Sequence, residues 1–325
     1  IKILEDGTNA PENARKKALG YMKALGEPVL AMDNALYFDS AGFPDELQPS
    51  IHVRRINDRA DRPSDKELIK YYANLVKKHG GQEGYLKAAI EGIKALRFVG
   101  VNVTMPFKTE VLPLLDEVAM FAESVGAVNT ILLDKCRLIG YNTDGRGFYT
   151  ALVRDLGYDV KGRKVLILGA GGASRSVTVS LALAGCASIV IVNRSPEKSQ
   201  LLAEIVKKSA PGIEVTWLSP NENYDMVAAE SDVIINATPL TNFHGSALRV
   251  PVAMLNKNQV VCDLNYSVYQ PPLLQEAEAR GAQVIDGKGM LLYQAAAAFE
   301  IWTGLDAPVE VMRVALHRAL EEAHI

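Results

Sequence analysis

Lys108 follows the apolar stretch Phe98-Val-Gly-Val-Asn-Val-Thr104 by one Met-Pro-Phe step, and Asp144 stands in the polar run Asn142-Thr-Asp-Gly145, which reads as a turn closed by Gly145. An amine and a carboxylate brought together in a cleft can pass a proton to or from a hydroxyl while hydride leaves or reaches the carbon, and their charges stabilise a developing alkoxide. Taken singly, a lysine or aspartate in a loop is more often a solvated charge. The hydride carrier is suggested by Val165-Leu-Ile-Leu-Gly-Ala-Gly-Gly-Ala-Ser-Arg175, which reads as strand, tight turn and helix N-terminus. Gly169 lets the chain turn, Gly171 lets bare backbone approach a pyrophosphate, and the N–H groups opening the next helix face that anion. Ser174 occupies the third small position, normally Gly or Ala, and a purely structural turn is the competing reading.

The second strand of the same unit selects the cofactor. Ile189-Val-Ile-Val192 ends in Asn193-Arg194-Ser195, where an NAD-selective site carries an acid for the ribose hydroxyl. Arg194 can instead clamp a 2′-phosphate bidentately, so NADP fits better than NAD; a solvated arginine is the alternative. Asn236-Ala-Thr-Pro239, at the end of a later strand, falls where the nicotinamide half is expected.

These residues need a scaffold. From Lys164 onward, strands are expected near 165–169, 188–192, 213–217, 232–236, 259–263 and 282–286 with helices between, the alternation of a doubly wound parallel α/β sheet. Upstream, Leu86, Ala89, Ile90, Ile93 and Leu96 recur at helical spacing, with Lys87, Glu91 and Lys94 left for solvent. A strand over 98–104 follows, then a helix opened by Pro106 and running over 109–124 with Val111, Leu114, Leu115 and Val118 inward. Strands over 125–133 and 137–141 are joined by a turn at Asp134-Lys135, and a helix over 146–156 closes near Gly157. After Gly287-Lys-Gly-Met290 come a long apolar helix through Trp302 and a last helix from Val309 to about His324. Nearer the start, Ala14–Leu25 suggests a helix, 35–38 and 51–56 suggest strands, and the capping box Ser64-Asp-Lys-Glu67 opens a helix to about His79.

At 325 residues two domains are expected. The pattern assigns 1–146 to a substrate and catalytic domain, 147–288 to a dinucleotide-binding domain, and 289–325 to helices packing back on the first. A net charge of −3 with interspersed signs argues against nucleic acid or an anionic membrane as partner and favours small-molecule chemistry. Cys136, Cys186 and Cys262 are widely spaced, which suits reduced cysteines in a cytoplasmic protein and neither a disulfide framework nor a metal site. No apolar run has the length of a membrane span, and no signal peptide is recognisable. The sequence begins with Ile1, so its start need not be the biological one.

Taken together, Asn102-Val-Thr-Met-Pro-Phe-Lys108, Gly126-Ala-Val-Asn-Thr130, Asn142-Thr-Asp-Gly145, Gly169-Ala-Gly-Gly-Ala-Ser-Arg175, Asn193-Arg-Ser195, Asn236-Ala-Thr-Pro239 and Gly287-Lys-Gly-Met-Leu-Leu-Tyr-Gln294 resemble the shikimate dehydrogenase family, in the right order over roughly residues 84–304. The resemblance implies an NADP-dependent oxidoreductase of aromatic amino acid biosynthesis, a monomer or homodimer acting on a cyclic hydroxy acid. It implies Lys108 and Asp144 as the catalytic pair. Asn102, Thr104, Asn129, Tyr266 and Gln294 would hold the substrate. Gly169, Gly171, Gly172, Ala173, Asn193, Arg194, Thr238 and Gly287 would hold the cofactor. Backbone capping at strand ends is the plain structural role for Asn102 and Asn129.

One departure bears on the substrate. The family carries Gly-x-Pro-Val and then His-Ser-x-Ser-Pro, whose serines grip the substrate carboxylate. Gly26-Glu-Pro-Val29 echoes the first part, but Ala31, Met32 and Asn34 stand where histidine and serines are expected. Losing a site's hydrogen bonds to a group discriminates strongly, so quinate and aminoshikimate stand as alternatives to shikimate. A silent NADP-binding sensor is the non-enzymatic alternative.

Overall fold

The computed structural model divides into two compact units, Ile1–Leu96 and Arg97–Ile325, and describes Leu86, Ile90, Ile93, Lys94 and residues 98–104, 107–238, 248–266 and 269–323. In the first unit Leu86, Ile90, Ile93 and Lys94 are helical, with Ile90 and Ile93 buried, as their spacing predicts. The elements expected over 14–79 lie outside the described residues.

The second unit opens with a mixed four-stranded sheet. Strand β1 (Gly100–Asn102) is followed by β2 (Glu117–Val118), helix α1 (Met120–Val125), β3 (Thr130–Asp134) and β4 (Arg137–Tyr141), in the order β1-β3-β4-β2. The helix expected over 109–124 does not form as such. Pro113 has no N–H to donate, and after one 3-10 turn at Leu112–Leu114 the chain turns extended. Asp116 then exchanges bonds with Leu138, its N–H to the carbonyl at 3.0 Å and its carboxylate from the amide at 2.7 Å, and β2 runs parallel to β4. Of the residues expected inward, Val111 is fully buried and Leu114, Leu115 and Val118 are half-buried. The strand expected from Val125 starts only at Thr130, because Gly126, at φ +66°, closes α1 first. The hairpin turn sits one residue later than expected: Asp134 pairs with Arg137, and Lys135 and Cys136 take the positive φ angles.

Helix α2 (Asp144–Leu156) leads into β5 (Lys164–Leu168), α3 (Gly172–Leu183), β6 (Ser188–Val192), α4 (Pro196–Ser209), β7 (Glu214–Leu218), α5 (Asp225–Glu230), β8 (Val233–Asn236), β9 (Val260–Asp263), α6 (Pro272–Ala279), β10 (Gln283–Asp286), α7 (Gly287–Thr303) and α8 (Val309–Ala323). The six strands stand where the alternation predicts and form one parallel sheet, β7-β6-β5-β8-β9-β10. Strand order reverses between β5 and β8, the crevice at which doubly wound sheets bind ligands. Both faces are apolar. Val165 and Ile167 join Phe148, Leu152, Val177 and Leu181 on one side, while Leu166 and Leu168 join Ala228, Leu273 and Ala277 on the other. Cys186 and Cys262 are buried and Cys136 is exposed; burial pushes the Cys186 thiol up to about 12. Among the described residues no helix is long and apolar enough to cross a membrane, and no cluster of His, Cys, Asp or Glu is placed to hold a metal.

The long apolar helix begins at Gly287, so Gly287–Met290 form its first turn, with the Asp286 carboxylate accepting from the Lys288 N–H at 3.0 Å. It lies tightly along α2. A Cβ on Gly147 would stand 2.7 Å from the Gln294 nitrogen and 2.8 Å from the Met290 carbonyl oxygen, and one on Gly289 would stand 2.9 Å from Ala151 Cβ. Trp302 Nε1 donates to the Ile131 carbonyl at 3.0 Å, tying the far end of α7 to β3. Overpacking such a contact costs about 1–3 kcal/mol. Gly147→Ala is therefore expected to lower stability by that amount in urea unfolding; an unchanged midpoint would contradict the close helix packing.

Candidate active site

Lys108 Nζ donates to Asp144 Oδ2 at 2.7 Å, across 36 positions of sequence. The two side chains are 24% and 7% exposed. Each is placed by backbone with its own partners. Lys108 lies in the turn after β1, and its carbonyl accepts from the Val128 N–H at 2.7 Å. Asp144 is the first residue of α2, where the unpaired N–H groups of the helix favour a carboxylate. Its own N–H donates to Asn142 Oδ1 at 3.1 Å.

Asn129 braces the carboxylate from the other side. Its Nδ2 donates to Asp144 Oδ1 at 2.8 Å and to Thr143 Oγ1 at 3.0 Å, while its Oδ1 accepts from the Thr143 N–H at 2.9 Å and from Thr130 Oγ1 at 3.0 Å. Asn142 Nδ2 reaches the Ala127 carbonyl and Ser176 Oγ of α3, both at 3.0 Å. Gly145 was expected to close a turn; it is instead the second residue of α2, and a Cβ there would stand 2.6 Å from both the Phe121 ring and the Ser176 carbonyl oxygen. That glycine permits the approach of α3 to the start of α2.

The pair faces a cavity of about 370 Å³, within the range of small-molecule sites. One wall comes from the four-stranded sheet and its loops, with Asn102, Val103, Thr104, Lys108 and Asn129, and from Asp144 at the start of α2. The parallel-sheet side contributes Ala173, Leu264, Tyr266 and Gly287. Met290, Leu291 and Gln294 of α7 complete it. Gly287, Met290, Leu291 and Gln294 follow the i, i+3, i+4, i+7 rule for one helix face, so their spacing was the available signal for Met290 and Leu291, which sequence reasoning missed. It also missed Asn142, Thr143 and Ser176 as supports. Asn102 Nδ2 is committed to the Asn129 carbonyl and Thr130 Oγ1, both at 3.3 Å, so it caps backbone as well as lining the cavity.

The glycine loop stands at the switch point. Gly169 has φ +110°, and a Cβ there would approach the Ala237 carbonyl oxygen at 2.9 Å. Gly171 and Gly172 are exposed, with nothing within 4 Å of either Cβ position, leaving room for a phosphate against bare backbone. Ser174, at the atypical third position, is buried and donates to the Gly169 carbonyl at 2.6 Å, fastening the turn from within. Asn193 donates to the Ser195 carbonyl at 3.1 Å, holding the β6–α4 turn. Arg194 beside it is exposed. Thr238 is buried with its hydroxyl given to Asn236 Oδ1 at 2.7 Å; it shapes the crevice loop with that hydroxyl already used. Ala173 lines the Lys108 cavity as well as opening α3, so the cradle and the ion pair border one space.

Family models match three successive parts of the chain: shikimate dehydrogenase substrate binding domain over residues 67–131, shikimate / quinate 5-dehydrogenase over 151–265, and shikimate 5'-dehydrogenase C-terminal domain over 287–317. A shikimate dehydrogenase (NADP(+)) of Desulforamulus reducens is 42% identical over 241 residues, covering 72% of this chain and 81% of that one. A crystal structure of a shikimate dehydrogenase in complex with NADP+ is 40% identical with a TM-score of 0.65, covering 72% and 81% of the two chains. Quinate dehydrogenase from Corynebacterium glutamicum in complex with NAD is 33% identical with a TM-score of 0.67, covering 72% and 83%. With the Lys108–Asp144 pair, the glycine loop and the sheet order already in place, these likenesses fix the assignment: the chain belongs to the shikimate dehydrogenase family of dehydrogenases.

Proposed function

We propose that this protein is an NADP-dependent oxidoreductase interconverting the ring hydroxyl and ketone of a shikimate-like cyclic hydroxy acid, with shikimate and 3-dehydroshikimate as the pair. The observation that carries this reading is the 2.7 Å Lys108–Asp144 pair on the wall of a cavity that Ala173 of the glycine-loop helix also lines. The open backbone at Gly171 and Gly172 and the exposed Arg194 suit a pyrophosphate and a 2′-phosphate. Bound NADP would supply the hydride acceptor for the carbinol carbon.

The chain's own residues handle the proton and the charge. In reduction the Lys108 ammonium gives a proton to the forming alkoxide and is left as the neutral amine; in oxidation that neutral amine takes the hydroxyl proton as the carbonyl forms and becomes the ammonium again. Asp144 keeps the amine aimed into the cavity, and Asn129 and the α2 N-terminus keep Asp144 in place. Thr104, Tyr266 and Gln294 offer hydroxyl and amide groups around the ring, with Asn102 and Asn129 at the base. We assign the substrate role to residues 1–146 with the helices of 289–325, and the cofactor role to 147–288. The reading suits a cytoplasmic enzyme, monomer or homodimer, with no nucleic-acid or membrane partner.

Quinate is the second reading, favoured by the likeness to the quinate dehydrogenase of C. glutamicum and by the absence of the family's Ser-x-Ser after Val29. A panel of shikimate, quinate and aminoshikimate, each with NADP and with NAD, separates the two. Shikimate with NADP is expected to give the highest kcat/KM; a higher value with quinate would move the assignment there. Removing a general acid–base group costs about 10²–10⁴-fold, so Lys108→Ala is expected to lose that much kcat while NADP binding stays intact. Wild-type turnover in that variant would refute the proton role, and NADP binding without oxidation of any acid by the wild type would favour a sensor.

A further inference from the structure

Among the described residues, the proposed chemistry leaves one buried carboxylate, Asp263, unused. Asp263 is 4% exposed and lies at the carboxyl end of β9, level in register with Asn236 of β8 and Asp286 of β10. Its hydrogen-bond partners among the described residues are all amides. Asn236 Nδ2 donates to Oδ2 at 3.1 Å, and Asn265 donates to Oδ1 through its backbone N–H at 3.0 Å and its Nδ2 at 2.7 Å. Burial holds its carboxyl above the usual range, with Asp286 adding in the same direction, so the ionised form that this set of donors requires is kept at a cost.

Those bonds join the crevice segments. Asn265 Nδ2 also donates to the Thr238 carbonyl at 2.8 Å, and the Asn265 carbonyl accepts from the Gly287 N–H at 3.0 Å. Asn236 Oδ1 accepts both the N–H and the hydroxyl of Thr238, at 3.2 and 2.7 Å, so Asn236 cannot turn its amide over. The Leu264 N–H donates to the Asn236 carbonyl at 2.9 Å. Gly287 lies so close to the Leu264 carbonyl that no Cβ fits between them. Leu264, Tyr266 and Gly287 line the cavity that holds Lys108 and Asp144.

We infer that Asp263 is a positioning residue for the reaction: as a two-sided buried acceptor it sets the mutual placement of the β8 loop, the β9 loop and the start of α7, and so the shape of the cavity beside the nicotinamide end of the cofactor. The inference rests on the proposed NADP-dependent reading of that cavity. None of these bonds reaches Gly169–Gly172, which follow β5, or Arg194, which follows β6 on the far side of β5 from β8.

The donor pattern supplies its own test. Asp263→Asn sets an amide N–H against Asn236 Nδ2 or against the Asn265 donors. The exchange Asn236→Asp with Asp263→Asn restores every pairing. The carboxylate then on β8 accepts from Thr238 and from the amide then on β9, whose oxygen still accepts from Asn265. One lost buried hydrogen bond of this kind is worth about tenfold or more. Asp263→Asn is expected to lower kcat/KM with shikimate by at least that factor and to weaken NADP binding. Binding of 2′,5′-ADP, which lacks the nicotinamide half, stays at the wild-type value. The double exchange returns both losses to within about threefold.

Wild-type kcat/KM in Asp263→Asn would overturn the assignment. So would a parallel loss of 2′,5′-ADP affinity, which marks general support of the fold, or a double exchange no better than the single change. If the wild type oxidised none of the acids, the functional reading would fail by itself. The ratio of NADP to 2′,5′-ADP affinity in Asp263→Asn would still decide the role of Asp263.

Discussion

A carboxylate taken out of water is costly unless its oxygens are filled, and the organisation around Asp144 follows from filling them. One oxygen takes Lys108 and the other takes Asn129, while the N–H groups at the start of α2 supply favourable charge from behind. Meeting those conditions requires three separate stretches of chain to arrive together: the turn after β1, the start of β3 and the start of α2. The four-stranded sheet brings the first two into antiparallel register, Asn102 opposite Thr130. Asn142 then ties the third to α3 of the parallel sheet. The ion pair is thus both a constraint on the fold and the group to which the proposed chemistry is assigned.

The two halves of the site meet through absent side chains. Gly145 admits α3, Gly147 and Gly289 admit α7, and Gly287 admits the β9 loop. These contacts put the helix carrying Met290, Leu291 and Gln294 across the cavity, and Ala173 of the glycine-loop helix on its wall. At the carboxyl ends of β8 and β9 an amide and a carboxylate, Asn236 and Asp263, hold the crevice loops with a matched donor and acceptor pattern. Family membership is consistent with both features.

The parallel sheet was legible because its inner strands are short apolar runs bounded by helix, a local signal. The glycine loop was legible for the same reason, its backbone needs being local. The region 109–133 was not. There the apolar spacing of Val111, Leu114, Leu115 and Val118 imitates a helix, and it is overruled by Pro113 and by the pairing of Asp116–Val118 with β4, a non-local interaction that no window of sequence contains. Residue types announced Lys108 and Asp144, but their meeting at 2.7 Å depends on strand register and helix packing. Gly145 was read as a turn former because a polar run surrounds it; its need arises from Ser176 and Phe121, both distant in sequence. For Asp263 only the turn to Asn265 two residues on was local; its bond from Asn236 of β8 was not.

The central claim is that Lys108 and Asp144 act as one unit. A double-mutant cycle in kcat, comparing Lys108→Ala, Asp144→Ala and the double variant on the substrate preferred by the wild type, tests it most directly. Groups that act as a unit are strongly non-additive, so the double variant should lose about as much rate as the worse single variant. Losses that multiply, each change lowering kcat by the same factor in either background, would contradict the account.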